Sequence, residues 1–494
     1  MDLLKLKKIY MIGIKGVGMT MLAEFLAAKG LEVSGSDIGE KFMTDAVLEK
    51  AGIKVFEGFS EENIPKDAEL IIYSTAYNIK NNVEVAAVLI PPSPFLKGGK
   101  VKTYAEALGE VFNQNYGIAV CGSHGKTTTT AWLGYVLEKA GKNPSVMVGS
   151  RVPQFGGASI AGKSDILVIE ADEYQNKLQY FNPKGVLLNN IDYDHPDYFK
   201  TREDYENVFI EFVKKIPKKG FLVTNFDDEN IFKVARVNCK GRVVGYSVDY
   251  AGPANPPGPL YQGGDAQGGN LEADFIGYDI KQAGDRQFFK VKMKSEDGFD
   301  EIGDFTIKLA GMHNISNALA VIASAIEMEV GLMEIRKYLE EFTGTARRME
   351  IMGKYRGAII IDDYAHHPTE IKTTINGVRK IYNEQRLIVV FHPHTFTRTK
   401  ALIDEFTQSF DEADELIVLD IYGSAREEQG GVHSRDIVAK IIRRGGQNSK
   451  IKTQYIPTLK ECEEYLRANI GSRDVVLLMG AGDVFRIGEN LVKN

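Results

Sequence analysis

The sequence predicts an α/β protein of three domains, each doubly wound or nearly so, and three observations carry that prediction. The chain has 494 residues, more than a single hydrophobic core usually supports. Strand-like apolar runs alternate with helical patterns along most of it. Glycine-rich turns stand where a strand hands over to a helix, at 13–18, at 122–125 and at 480–482.

The first domain is read as 1–112. An apolar run from Lys8 to Ile14 meets Gly13, Gly16 and Gly18, then the helical pattern MTMLAEFLAAKG and a second strand closing at Ser36-Asp37, a β-α-β opening. A further strand runs from Leu70 to Ser74. The second domain is read as 113–342. It starts with strand Gly117 to Cys121, the loop GSHGKTTTT and helix AWLGYVLEKAG, and strand and helix signals are expected to alternate down to Glu341. The third, 343–494, opens with strand Ala358 to Asp362 and ends with strand Val475 to Met479, a glycine turn and a short helix. Two segments, PPSPFLKGG at 91–99 and PPGPLYQGG at 256–264, share one scheme and are expected to be exposed, functionally neutral insertions, because Pro cannot donate to a ladder and Gly resists ordering.

Composition narrows the function classes. Hydrophobic residues make up 44% and charged residues 26%, a globular balance, and the net charge of -7 without a basic block argues against nucleic acid as a partner. Three widely spaced cysteines suggest neither a disulfide framework nor a zinc cluster, which suits a reducing cytoplasm. The N-terminal apolar run is short and broken by Lys and Gly, so neither a signal peptide nor a membrane-spanning helix is expected.

The chemistry concentrates at strand ends. Gly122, Ser123, His124, Gly125, Lys126 and Thr127 lie between a strand and a helix, where backbone N–H groups and the helix N-terminus can cradle a polyphosphate. Lys126 would meet the β- and γ-phosphates and Thr127 would offer its hydroxyl to Mg²⁺. Val120 stands where a full phosphate-loop motif has its first Gly. Acids follow at two more strand ends, in Ile169-Glu170-Ala171-Asp172-Glu173 and in Asn189-Asn190-Ile191-Asp192-Tyr193-Asp194-His195. The carboxyl ends of strands are where ligands sit in open α/β sheets, so these groups are expected across one crevice from the phosphate loop, as hard ligands for Mg²⁺. Seven of the eight histidines, all but His433, fall in or beside Gly- and Asp-rich turns.

Taken together, GSHGKTTTT, EADE, NNIDYDHPDYF, GMHNISNALA, GTARRME and DDYAHHPTE resemble, in content and order, the Mur ligase family. Flanking motifs GIKGVGM, SGSD, FHPHTFTRT and MGAGD resemble the branch that joins L-alanine to UDP-N-acetylmuramic acid. The resemblance implies an N-terminal Rossmann-like UDP-binding domain, a central P-loop-type ATPase and a C-terminal Rossmann-like domain that closes over the site. It implies a cytoplasmic enzyme of peptidoglycan precursor synthesis, a monomer or weak dimer, that uses ATP, Mg²⁺ and L-alanine. ATP would be held by Gly122 to Thr128, Asn314, Asn317, Arg348 and Asp363, with Asp363 on the ribose and Arg348 reaching the γ-phosphate. Thr127, Glu170 and His195 would hold metal. Gly16, Gly18, Ser36, Asp37, Ser74, His366, His394 and Arg398 would serve the UDP-sugar or the amino acid. His367, from its chemistry and position, is the candidate base for the amine.

Departures from the family pattern are Lys15 where Gly is usual, either adding a phosphate contact or crowding the UDP site, Ser123 for Thr, and Thr395 where many relatives carry Arg. FHPHTFTRT and the compact stretch after EADEY argue against the branch that attaches a whole tripeptide. A nicotinamide-dependent oxidoreductase is disfavoured, because the first turn reads G-x-x-G-x-G and Lys126, Thr127, Glu170 and His195 would be left without a task.

Overall fold

A computed structural model describes residues 3–42, 44–91, 93, 100–249, 273–423, 429–445 and 451–493. The two Pro/Gly-rich segments lie outside these, apart from Pro91 and Ser93.

Three sheets follow one another along the chain. The first holds β1 (Lys8–Ile12), β2 (Glu32–Asp37), β3 (Lys54–Glu57), β4 (Leu70–Tyr73) and β5 (Val101–Thr103), all parallel, in the order β3-β2-β1-β4-β5. The second holds β6 (Tyr116–Cys121), β7 (Ser145–Val152), β8 (Gly157–Ile160), β9 (Ile166–Glu170), β10 (Gly185–Leu188), β11 (Phe221–Asn225), β12 (Arg242–Val248), β13 (Phe275–Ala283), β14 (Arg286–Ser295) and β15 (Gly298–Ile307). Their order is β15-β14-β13-β12-β11-β10-β6-β9-β7-β8. The third runs β16-β17-β21-β18-β19-β20, from β16 (Glu350–Tyr355), β17 (Ala358–Asp363), β18 (Arg386–Phe391), β19 (Glu415–Val418), β20 (Lys452–Tyr455) and β21 (Asp474–Met479). In the second sheet the order reverses at β6, so the loop after β6 opens at a topological switch point, where open α/β sheets place ligands.

The structure departs from sequence expectation in three places. Strand and helix do not alternate to Glu341, since β13, β14 and β15 form an antiparallel meander with no helix between them. Strand β16 pairs antiparallel with β17 across Arg356 (φ 48°) and Gly357 (φ 85°), the two positive-φ positions that a type I′ turn requires. The helix after the phosphate loop starts at Lys126 rather than near Ala131. Its Thr127–Thr130 run is poor in helix propensity, but all four residues are buried, so packing overrides it.

Helix Val17–Ala28 joins the first domain to the second, contributing Leu22, Phe25 and Leu26 to a core that continues into Met147 and Ile169. The second domain's own core is built round Trp132, fully buried, which stacks on Phe342 at 5.3 Å and donates its indole N–H to the Leu339 carbonyl. None of the helices among the described residues is long and apolar enough to cross a membrane.

Candidate active site

The loop after β6 is shaped for close approach. Gly122 (φ +119°) and Gly125 (φ +79°) both use backbone that a side chain rarely adopts, and a Cβ at Gly125 would fall 2.6 Å from Asn317 Oδ1. The His124 N–H donates to Asn190 Oδ1 at 2.7 Å, tying the loop to the end of β10. Lys126 folds back, its ammonium donating to the carbonyls of Gly122 (2.6 Å) and Ser123 (3.2 Å) and to Glu173 Oε2 (3.0 Å). Burial would lower its pKa, but the charges of Glu173, Asp172 and Glu170 raise it, so the ammonium is permanent.

Acids gather beside it. Glu170, at the end of β9, accepts the Thr127 hydroxyl (2.9 Å) on one oxygen and the Gly149 N–H (2.7 Å) on the other. His195 lies against the Tyr174 ring (centroids 4.6 Å apart) with Nε2 3.7 Å from Glu173 Oε1. Asp172, Glu173 and His195 bring one ligand atom each within 4.8 Å of one another. Burial opposes ionisation of Asp172, but Lys177 and Lys126 pull its carboxyl down to about 2. Carboxylates, a threonine hydroxyl and one imidazole are a donor set that suits a hard divalent cation.

A cleft of 1170 Å³ opens from this loop and is lined by all three kinds of expected nucleotide contact: His124, Gly125 and Thr128; Asn314 and Asn317; and Arg348 with Asp363 from the third domain. Asn314 accepts from Asn317 at 3.1 Å. Asp363 is buried in the cleft wall, its carboxylate accepting the Met349 N–H on Oδ2 and the Ala365 N–H on Oδ1.

The second and third domains meet over the loop. His124 sits between Asp192 (Nε2 to Oδ2, 3.0 Å) and Glu370 (Nδ1 to Oε1, 3.2 Å), and Thr369 donates to Asp192 at 2.7 Å. Burial alone would lower the His124 pKa, but these two carboxylates raise it to about 9. Its neighbours go the other way: burial and then Arg348 push His313 down to about 4, and burial and then Arg398 push His366 down to about 3. His367 is also lowered by burial and then by His124, and its Nδ1 lies 3.5 Å from Asp192 Oδ2. His394 stacks on Tyr422 at 5.8 Å.

Two expected substrate contacts are redirected. Ser36 is fully buried and its hydroxyl bonds to Glu84, a buried carboxylate that also accepts from Tyr10 and Asn63, so it is structural. Arg398 is 5% exposed and spends two nitrogens on Asp194. Asp37 accepts from the Lys15 N–H (2.7 Å) and Tyr77 (3.0 Å). Gly16 precedes helix Val17–Ala28, Gly18 leaves room for Tyr104, whose ring would be 2.8 Å from a Cβ there, and the Ser74 hydroxyl accepts the Ala76 N–H at 3.3 Å. The Lys15 ammonium is bound within the first domain, by Asp45 (3.0 Å) and the carbonyls of Ile38 and Glu40. Sequence reasoning missed Tyr205, which joins Ser123 (2.7 Å) to Glu173 (3.1 Å) from inside helix Arg202–Val213. No local signal distinguishes it from an ordinary core tyrosine.

Comparison with known proteins identifies the family. A model of the Mur ligase middle domain matches residues 120–325, one of the Mur ligase glutamate ligase domain 347–482, and one of the Mur ligase catalytic domain 8–116. The UDP-N-acetylmuramate--L-alanine ligase of Desulfitobacterium hafniense is 36% identical over 98% of this chain and 99% of its own, and that of Clostridium kluyveri is 38% identical over 99% and 98%. Among solved structures, UDP-N-acetylmuramate-alanine ligase from Thermotoga maritima superposes with a TM-score of 0.77 at 24% identity over 98% of each chain. A murein peptide ligase from Psychrobacter arcticus gives 0.70 at 23% identity over 99% of this chain and 98% of its own. Matched nearly from end to end by three successive domain models and by full-length relatives, with His124, Gly125 and Thr128 of the loop and Arg348 of the third domain lining one cleft, the chain belongs to the Mur ligase family.

Proposed function

We propose that this enzyme joins L-alanine to the lactyl carboxylate of UDP-N-acetylmuramic acid at the expense of ATP, in the cytoplasmic synthesis of peptidoglycan precursors. One observation carries the reading: a single cleft takes its phosphate-binding loop from the second domain and Arg348 from the third, in a chain similar end to end to ligases named for that reaction. We divide it as 1–112 for the UDP-sugar, 113–342 for ATP and 343–494 for closure, acting as a monomer or weak dimer.

The lactyl carboxylate attacks the γ-phosphorus of ATP, forming an acyl phosphate and releasing ADP. The alanine amine then attacks the acyl carbon, and the tetrahedral intermediate expels inorganic phosphate as the amide forms. Lys126 would trade one of its loop carbonyls for a phosphate oxygen, and Arg348 would neutralise charge on the transferring group from the opposite wall. Thr127, Glu170 and His195 would hold Mg²⁺, which when bound shields the phosphate oxygens and polarises the γ-phosphorus. We assign the amine proton to the neutral imidazole of His367, taken at Nδ1 in exchange for the Thr369 N–H that this atom accepts, with Nε2 carrying the ring's own proton. Docking of the third domain keeps water from the acyl phosphate.

The test is phosphate release from ATP with UDP-N-acetylmuramic acid, offering L-alanine, glycine, L-serine and the L-Ala-γ-D-Glu-diaminopimelate tripeptide in turn. Stimulation by L-alanine, abolished in Lys126→Ala with its circular dichroism unchanged, is expected. Stimulation by the tripeptide alone would replace this reading with the recycling reaction.

A further inference from the structure

We infer that Arg398 is a positioning residue that pins the His195 loop from the third domain, acting through Asp194. The inference deepens the proposed function and rests on it for the role of His195 toward metal.

Arg398 stands on helix Phe396–Ala401, and its partner lies 204 residues earlier in the loop after β10. Nε meets Asp194 Oδ1 at 3.0 Å and Nη2 meets Oδ2 at 3.2 Å, with Arg398 5% and Asp194 7% exposed. A guanidinium fork that engages both oxygens of a carboxylate fixes direction as well as distance. Inside a packed interface neither partner can be lost without stranding the other charge. The third guanidinium nitrogen, Nη1, faces His394 of the same domain (3.4 Å to Nδ1).

Asp194 spends Oδ1 a second time, accepting the His195 backbone N–H at 2.7 Å. His195 sits at φ 58°, a left-handed conformation that residues with a Cβ seldom adopt and that persists only where surroundings impose it. The bond from its own neighbour's carboxylate is such an imposition, and Arg398 fixes that carboxylate. Turned this way, the imidazole reaches Tyr174 and Glu173, and Glu173 Oε2 holds Lys126. Contact is therefore continuous from a third-domain helix through Asp194, His195 and Glu173 to the nucleotide loop. Docking of the third domain and presentation of His195 become one event, and the coupling runs both ways.

The test compares Arg398→Gln, Arg398→Lys, Asp194→Asn and the Arg398→Gln/Asp194→Asn pair in the full chain. In the ligand-free enzyme, hydrogen exchange at 192–199 is expected to quicken in both Gln and Asn variants, with Lys intermediate and the double variant no faster than either single. In turnover, half-saturating Mg²⁺ should rise about 10-fold, as for other partners that orient a metal ligand, with KM for L-alanine within about twofold. Unchanged exchange at 192–199, together with a raised KM for UDP-N-acetylmuramic acid or L-alanine, would make Arg398 a substrate contact and overturn the inference. His195→Ala separates the two claims: if it leaves Mg²⁺ dependence unaltered, the metal role of His195 is lost, and exchange alone decides whether Arg398 pins the loop.

Discussion

At the scale of single residues, His367 has two jobs that substitution can separate. It is the residue before helix Pro368–Ile381, and its Nδ1 accepts the Thr369 N–H at 3.4 Å, an N-cap. Burial, and then the charge of His124, lower its pKa from the ordinary value of 6.5. The neutral, proton-accepting form is therefore favoured at pH 7, and protonation sets in at lower pH than in a free imidazole. Asn is a strong N-cap and no base at neutral pH, so His367→Asn should keep the thermal midpoint while kcat falls about 10²–10⁴-fold, with KM for ATP little changed. An undiminished kcat would remove His367 from the chemistry. Lys126, Thr127 and Glu170 were legible in the sequence because each is placed relative to a strand end, and strand ends can be read locally. The partners of Ser36 and Arg398 were not legible for the converse reason: Glu84 and Asp194 lie 48 and 204 residues away, and no local pattern announces a buried carboxylate that will engage them.

Among elements, the loop between β2 and the helix Asp45–Lys50 shows how a departure from family pattern is absorbed. Lys15 is 4% exposed, yet its three N–H donors meet Ile38 O at 3.1 Å, Glu40 O at 2.9 Å and Asp45 Oδ1 at 3.0 Å, while its own carbonyl takes the Thr44 hydroxyl at 2.7 Å. The ammonium staples residues 38–45 to the first glycine turn. Lys15→Met keeps the stem and strands three acceptors, two of them carbonyls that the loop can turn to water. About 1–3 kcal/mol of stability should be lost, read as a lower urea midpoint, while kcat at saturating UDP-N-acetylmuramic acid stays within about twofold. A kcat loss larger than tenfold at unchanged stability would place Lys15 in the reaction after all. Elements that depend on local rhythm, such as β1, β6 and β21 with their following helices, were visible in the sequence. The meander β13–β15 was not, because an amphipathic antiparallel strand and a short helix compete for the same polar, Lys- and Asp-rich composition, and only pairing across strands decides between them.

At the scale of the whole molecule, polar contacts seat the third domain on the second: Thr369 with Asp192, Glu370 with His124, Arg398 with Asp194, and the Ala346 N–H with the Arg151 carbonyl. Such an interface responds to charge, and His124 is the histidine in it whose pKa is raised. His313 and His366, at about 4 and 3, are neutral throughout neutral and alkaline pH. Asp192, held at about 2 against its burial by His124 and His367, and Glu370, held well below the carboxylate range, stay ionised. His124 changes charge across neutral and alkaline pH, its pKa raised from 6.5 to about 9. A pKa raised by folding stabilises fully below the unfolded value and ceases to do so as pH climbs through the folded one. The seat of the third domain should therefore be firm at pH 6.5 and loosen progressively up to and beyond pH 9, as His124 loses the proton that one of its two carboxylates holds. Thermal unfolding of the ligand-free enzyme at pH 6.5, 8 and 9.5 reads this directly. His124→Gln, which keeps one donor and no charge, should flatten the dependence over that interval. Equal pH profiles for the two proteins would mean that the domains are held by the arginine and threonine contacts alone.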